Sequence, residues 1–496
     1  MAGKIAKNSM NPLDGVSPPD HSYGKAHGLH WITAALFIVA DMAGGGVVTL
    51  PIAMLAAGET AGTIGIIIIA ISFCYTAHLL GENWNTMCRK WPVYRDHCRK
   101  PYPEMAYRSM GKGARYFTSL VLNLMLYGVA MVYLSLSAKI MNDIVTGVFN
   151  VHIGTCLMIP ILALLLFPVT LLKSPADFQF AVVTAMVTTT LSVILIFYGT
   201  ATDKESCERE VSYPPFSSTS FLLSLGTFMF GFGGHGVFPT IQHDMKEPRH
   251  FTRSSVLAFS IVLALYLPIT YLGYYTYGDS LKHSIINSIQ SSSVQQAANF
   301  FIAIHCILTL TIVINPLNQE VEHKFKLPHA FGPTRIATRF GMMFVIVLSC
   351  LLIPDFDPIL NFIGGTSVAL TSAIMPCLFN LYLHANNDYE AAKRDDNNGD
   401  ESVGLLELTK RRSRVVTKTS SMKLVINVLV IVLAIICGGI TTYSAIQKLM
   451  SDGTGFIAPC FSRGSITPTS AEQSWHCCGH YLNISSIPDA TCPAVI

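Results

Sequence analysis

Runs of about 20 apolar residues recur along this chain, the length that crosses roughly 30 Å of hydrocarbon. Inside a bilayer such a run has few ways to satisfy its backbone, and a continuous apolar run, unlike an alternating one, satisfies it as a helix. Eleven runs are legible, at residues 30–56, 62–85, 116–138, 152–171, 178–200, 220–242, 255–277, 295–316, 338–354, 358–383 and 424–447. Only 13% of the 496 residues are charged and 51% are hydrophobic, so the expected fold is an all-α integral membrane protein of eleven transmembrane helices. The stretch before the first run is polar and that run is too long for the apolar core of a signal peptide, so no cleavable leader is expected.

Charge sets the orientation. With the N-terminus in the cytosol, 27 of the 33 lysines and arginines fall on the cytosolic side; the others are Lys139, Lys204, Arg209, Lys282, Lys448 and Arg463. This positive-inside bias places the N-terminus in the cytosol and the C-terminus outside or in a lumen. Cys460, Cys477, Cys478 and Cys492 crowd the last 40 residues and Cys207 lies in the outer loop after the fifth run, as suits disulfides on an oxidising face. Asn483-Ile484-Ser485 is a glycosylation sequon on the same side. Free thiols and an unused sequon are the plainer alternative. His476, Cys477, Cys478 and His480 match no standard zinc spacing, and neither a metal nor a cofactor is expected.

The chain then divides into a mobile cytosolic tail (1–28), a ten-helix core (29–384), a flexible cytosolic linker (385–421), an eleventh helix (422–447) and a Cys-rich outer tail (448–496). The linker is acidic and Asn-rich at Asp395-Asp396-Asn397-Asn398 and basic at Lys410-Arg411-Arg412-Ser413-Arg414. A basic, proline-containing connection at 88–114 reads anionic lipid, with a short helix over 102–110 lying on the membrane. No nucleic-acid partner is expected.

Two runs are interrupted in their middles by glycine, as Ala43-Gly44-Gly45-Gly46 in the first and Gly231-Phe232-Gly233-Gly234-His235-Gly236 in the sixth. Each glycine costs about 1 kcal/mol relative to alanine in a helix, so an opened span needs a return. An interrupted helix presents N–H groups on one half and C=O groups on the other, suited to an anion and a cation. Close helix packing through small residues is the simpler explanation. Pro239 fits the first turn of the restarted sixth helix. Because runs one and six each open a set of five, and five is odd, the two sets form a five-plus-five inverted repeat with one helix added.

Asp41 lies near the middle of the first span, where a charge costs about 2.5 to 3.5 kcal/mol. It binds a proton, faces a coupling ion, or is held protonated or paired to join helices. His235 lies inside the second break, where it gates, bonds substrate, shuttles a proton, or is satisfied by a freed carbonyl. His305, Asn123 and Tyr127 read as core residues, and Thr366, Thr371 and Ser372 as weak candidates because such hydroxyls bond their own helix. Gly81, at the inner end of the second span, is expected to tolerate alanine.

The stretch 228–251, FMFGFGGHGVFPTIQHDMKEPRHF, resembles the sixth-span signature of the amino acid/auxin permease family: Gly234-His235, Phe238-Pro239, then Met245, Pro248 and Phe251. Gly44-Gly45-Gly46-Val47-Val48-Thr49-Leu50-Pro51 resembles that family's Gly-x-Gly-x-x-x-Leu-Pro. The resemblance spans 28–447 and is similar to the vesicular inhibitory, proton-coupled and sodium-coupled neutral amino acid branches. It implies a fold like that of the bacterial leucine transporter, with an amino acid held between the two broken helices. Backbone N–H groups at Ala43, Gly44, Gly45, Gly46 and Val47 would take its carboxylate, and carbonyls of Phe230, Gly231, Phe232 and Gly233 its ammonium. Asp41 and His235 would serve ion coupling. Many members carry a neutral polar residue where Asp41 stands, which leaves proton or sodium open. The expected activity is secondary active amino acid transport, proton-coupled by preference, in the plasma membrane or a vacuolar, lysosomal or vesicular membrane. The rivals are sodium coupling and a non-transporting amino acid sensor on the same fold. No phosphate-binding loop is present, and an enzyme is not expected.

Overall fold

The computed structural model describes residues 24–96, 98–151, 153–171, 178–327, 332–385, 415, 419–450, 460, 477–480, 483–485 and 492. The expected linker and most of both tails lie outside these residues. Among the described residues, eight helices are long and apolar enough to cross a membrane, or nine when the bent pair α1 (Trp31–Met42) and α2 (Gly45–Ala57) counts as one span. The others in chain order are α3 (Glu59–Lys90), α4 (Pro101–Met110), α5 (Lys112–Phe149), α6 (Thr155–Thr170), α7 (Phe178–Cys207), α8 (Ser218–Gly231), α9 (Phe238–His243), α10 (Phe251–Tyr277), α11 (Ser292–Lys324), α12 (Pro333–Leu352), α13 (Phe356–Ile363), α14 (Met375–Ala385) and α15 (Ser421–Met450). Shorter apolar helices, α6 and α8, stand where the fourth and sixth spans were expected. Prolines at 160 and 168 crowd α6, and α8 stops at the glycine break.

The first break is local and sharp. Ala43 N–H closes the last turn of α1 on Val39 O at 2.7 Å, Gly44 leaves helical geometry at φ −131, ψ −108, and α2 restarts at an angle of 56°. At the second break the Gly233 N–H turns back to Phe230 O at 3.0 Å and α9 begins with Pro239 in its first turn. A third irregularity was not legible in the sequence: α13 and α14 are joined by π-type winding over Gly364–Ile374. A side chain on Gly364 would run into the Gly226 carbonyl of α8, and one on Gly438 of α15 would meet the Gly365 carbonyl at 2.6 Å. Such backbone-to-backbone crossings need small residues. This tenth span is the most enclosed, 72% of its apolar window being buried against 28% for α15, which keeps a broad apolar face outward.

Three expectations change. Residues 102–110 do form a helix, but α4 is docked into the protein, with Met105 and Ala106 fully buried and the Tyr102 hydroxyl donating to Thr371 O. Its apolar face is therefore taken up by the protein. The tail expected to be mobile to residue 28 is paired from Lys25 onward: Lys25 N–H bonds Lys246 O and Leu29 N–H bonds Asp244 O, both at 2.8 Å. This ties the start of the first broken span to the end of the second. Gly81 packs on a buried aromatic ring, where an added carbon would stand 2.7 Å from Phe251 Cδ1, so alanine is not accommodated without a shift.

On the face opposite the Lys25–Leu29 segment, disulfides join Cys156 to Cys460, Cys207 to Cys478 and Cys477 to Cys492. Cys74, Cys88, Cys98, Cys306, Cys350, Cys377 and Cys437 are free. The Cys478–Ile484 backbone pair closes a turn within the same tail, and a 2.8 Å contact from His480 Nδ1 to Asp279 Oδ2 seats it on the loop after α10. A membrane-impermeant maleimide is expected to label Cys477 and Cys478 only after reduction and only from this face; labelling without reductant would overturn the pairing. Gly81→Ala is expected to lower the melting temperature measurably, because Phe251 must leave its packed rotamer.

Candidate functional site

The two breaks face each other across one hydroxyl. Tyr266, buried on α10, donates to Met42 O at 2.7 Å and Gly231 O at 3.1 Å, the final carbonyls of α1 and α8. Met42 O also receives the Gly44 N–H at 2.9 Å, whereas Gly231 O has no backbone donor among the described residues, so the O–H supplies the second break and joins it to the first. The backbones approach so closely that a side chain on Gly46 would stand 2.8 Å from the Tyr266 hydroxyl and 3.1 Å from Gly231 Cα. Phe232 packs edge-on against the Tyr266 ring at 5.4 Å and fixes its direction.

At the first break Gly44 is walled by His305, which the sequence reads as a core residue, and by Tyr133, which the sequence does not single out. An added carbon there would overlap His305 Nε2 and stand 2.6 Å from the Tyr133 hydroxyl. Tyr133 on α5 also meets the Gly45 backbone N–H and lies within electrostatic range of Asp41 and Tyr266. The His305 imidazole on α11 is held by Thr189 Oγ1 of α7 at 2.6 Å and by Ala185 O at 3.2 Å, both on Nδ1. Five elements thus converge where α2 begins.

At the second break Asp41 and His235 do not meet. The Asp41 carboxylate points at Gly234, where an added carbon would stand 2.5 Å from Oδ2, and among the described residues no cation pairs with it. Asp41, Gly233, Gly234 and Gly236 keep accessible surface, whereas residues 42–50 are buried. His235 turns away into the protein: Nε2 lies 3.0 Å from Phe73 O and 3.1 Å from Thr76 Oγ1, and Nδ1 is buried without a partner among the described residues. Phe73, Phe238 and Phe259 surround its ring. Ala43, Gly44, Gly45, Gly46 and Val47 sit together at the head of α2, facing Phe230 and Gly231 at the end of α8. Of the four carbonyls expected for an ammonium, Phe230 and Gly231 are engaged, and those of Phe232 and Gly233 receive no backbone donor among the described residues. Thr366 and Thr371 bond their own helix, at 2.6 Å to Phe362 O and 2.8 Å to Ser367 O.

Tyr133, Thr189, Tyr266 and His305 were missed. Only His305 carried a signal, as an ionisable residue in mid-span; the tyrosines look like any aromatic of an apolar run.

Helix-start N–H groups and helix-end carbonyls meet in mid-span, the broken-helix arrangement that recurs in many transporter folds. The structure is similar to an inward-facing conformation of Mhp1, with a TM-score of 0.54 at 12% identity over 87% of this chain and 94% of that one. This likeness shows the fold, a five-plus-five inverted repeat like that of the bacterial leucine transporter. The profile of the transmembrane amino acid transporter protein family matches residues 27–395, and the chain belongs to that family. It is similar to amino acid transporter AVT1J of Arabidopsis thaliana, 24% identical over 70% of this chain and 81% of the relative. Lysine histidine transporter-like 4 of the same plant is 26% identical over 71% of this chain and 81% of its own length. Family and fold are those of a multi-pass membrane protein and not of an enzyme.

Tyr266→Phe keeps the ring and removes the shared donor. It is expected to cut amino acid uptake by about tenfold or more, since leaving a buried carbonyl unpaired costs about 1 to 3 kcal/mol. Gly46→Ala, which pushes the same hydroxyl away, is expected to do likewise. Gly341→Ala on α12, with no atom within 4 Å of the added carbon, is the control expected to leave uptake unchanged.

Proposed function

We propose that this protein is a proton-coupled secondary active transporter that moves amino acids by alternating access. The observation that carries the reading is the meeting of the two broken spans at Tyr266, which sets the leading N–H groups of α2 beside the carbonyl end of α8. The substrate carboxylate binds the N–H groups of Gly45 and Gly46 at the head of α2, those of Gly44 and Val47 being engaged by Met42 O and Gly44 O, and its ammonium binds the carbonyls of Phe232 and Gly233. Neither contact uses a charged side chain, so the site reads the backbone of any amino acid and leaves selection among side chains to the surrounding walls.

Two features favour a proton over sodium. The carbonyls of Met42 and Gly231 converge on a fixed O–H, which takes the position a bound cation would fill. Asp41 lies at the second break with no paired cation and with accessible surface, the condition for loading and releasing a proton in turn. His235 ties the second break to α3. The disulfides on one face and the basic connections on the other support a cytosolic N-terminus and an outer or lumenal C-terminus, with the exposed Asn483 available to glycosylation there.

The test is uptake of a labelled amino acid panel into proteoliposomes under an imposed pH gradient and, separately, an imposed sodium gradient. Uptake driven by inward proton flow is expected; binding without flux would make the protein a sensor, and uptake that follows sodium alone would end the proton reading. Asp41→Asn is expected to abolish stimulation by the pH gradient while leaving exchange at equal pH measurable, because exchange needs binding but no net proton movement. Wild-type stimulation in that variant would place coupling elsewhere.

A further inference from the structure

The hydrogen bonds around His305 define which of its nitrogens faces the first break. Thr189 Oγ1 donates to Ala185 O at 2.8 Å, so its oxygen accepts from Nδ1 at 2.6 Å, and Nδ1 also faces the Ala185 carbonyl. The ring hydrogen of the neutral imidazole therefore sits on Nδ1, and Nε2 keeps its lone pair. Nε2 is the atom that an added carbon on Gly44 would overlap; its other partner, Thr309 Oγ1, lies at 3.3 Å. A lone pair is thus aimed at the place where α2 offers its leading N–H groups. The titratable groups nearby are Tyr133 from α5, Cys306 on α11 itself, Tyr266 from α10 and Asp41 from α1, whose carboxylate points at Gly234 in the other break. Thr189 is the side chain that α7 contributes, and it does not titrate.

We propose that His305 is a protonation site that fills together with the substrate: Nε2 binds a proton when a carboxylate occupies the head of α2. The inference rests on reading the first break as the carboxylate site. A neutral Nε2 would set a lone pair against the incoming anion, and in a buried site of low effective dielectric that repulsion is strong. A protonated Nε2 sets an N–H⁺ donor there instead, a charge-assisted hydrogen bond. Proton and amino acid therefore raise each other's affinity, as linkage requires. Asp41 carries the proton whose movement is vectorial; His305 makes substrate affinity depend on pH. Thr189 acts as a positioning residue, fixing the hydrogen on Nδ1 so that only Nε2 is open to the site.

Affinity of purified protein for a labelled amino acid is measured from about pH 8 to about pH 5, across the ordinary histidine range, with equal pH throughout. Wild-type affinity is expected to rise as pH falls, by up to about tenfold per unit near its midpoint. His305→Gln is expected to bind with the weak high-pH affinity at every pH, whereas Asp41→Asn keeps the slope. Thr189→Val, which leaves the imidazole in place, is expected to keep the slope and move its midpoint. A wild-type slope in His305→Gln overturns the inference alone. A wild type that binds no amino acid overturns the transport reading and this inference with it. Where His305→Gln fails size-exclusion chromatography, an unmoved midpoint in Thr189→Val overturns the proposal.

Discussion

One tyrosine hydroxyl sits between the ends of two helices that stop in the middle of the molecule. Opening a span frees carbonyls from the helical ladder, and one left without a donor costs several kcal/mol in hydrocarbon; Met42 O regains the Gly44 N–H, but Gly231 O has no backbone donor among the described residues. Tyr266 reaches both Met42 O and Gly231 O from α10 and so makes the two breaks a single structure. The glycines follow from that contact, because Gly46 must let Tyr266 and the α8 backbone come within van der Waals reach. The close packing that these glycines allow brings N–H groups and carbonyls to a common point.

The two broken spans are joined a second time, at the face where the chain begins. Beyond the two breaks the Leu29 N–H donates to Asp244 O and the Leu29 carbonyl accepts from Lys246 N–H, so the start of α1 and the turn after α9 are held as one piece. Elsewhere the spans rest on neighbours through small residues, at Gly226 with Gly364 and Gly365 with Gly438. The two broken spans are thus tied to each other at the centre, through Tyr266 of α10, and at one end. The disulfides lie on the other face, where they fasten the C-terminal tail to α6 and α7.

The protonatable groups divide between the breaks. Asp41 belongs by sequence to the first broken span, yet it faces Gly234 of the second; His305 comes from α11 and faces Gly44 of the first. Tyr133 stands within electrostatic reach of Asp41 and against the His305 ring, so the groups share one neighbourhood without touching. His235 is fully enclosed by aromatic rings and bonded to the Phe73 carbonyl, an arrangement that holds the second break to α3.

Hydropathy was legible because bilayer thickness and backbone satisfaction constrain each span by itself, independent of its neighbours. For the same reason the breaks at Gly44–Gly46 and Gly231–Gly236 could be read: a glycine cluster in an apolar run is a local departure from a local rule. The docking of α4, the crowding of Gly81 by Phe251 and the π-type winding of the tenth span depend on what lies alongside, and nothing in residues 102–110, 81 or 364–374 records it. The site divides the same way. Its backbone donors and acceptors were written in the chain, whereas Tyr133, Thr189, Tyr266 and His305 lie on four other spans and meet the breaks only because the bundle closes around them. A side chain in an apolar helix carries no mark of the face it will present to a neighbour; only the packing of α5, α7, α10 and α11 against α1 and α2 decided that these four groups face the site.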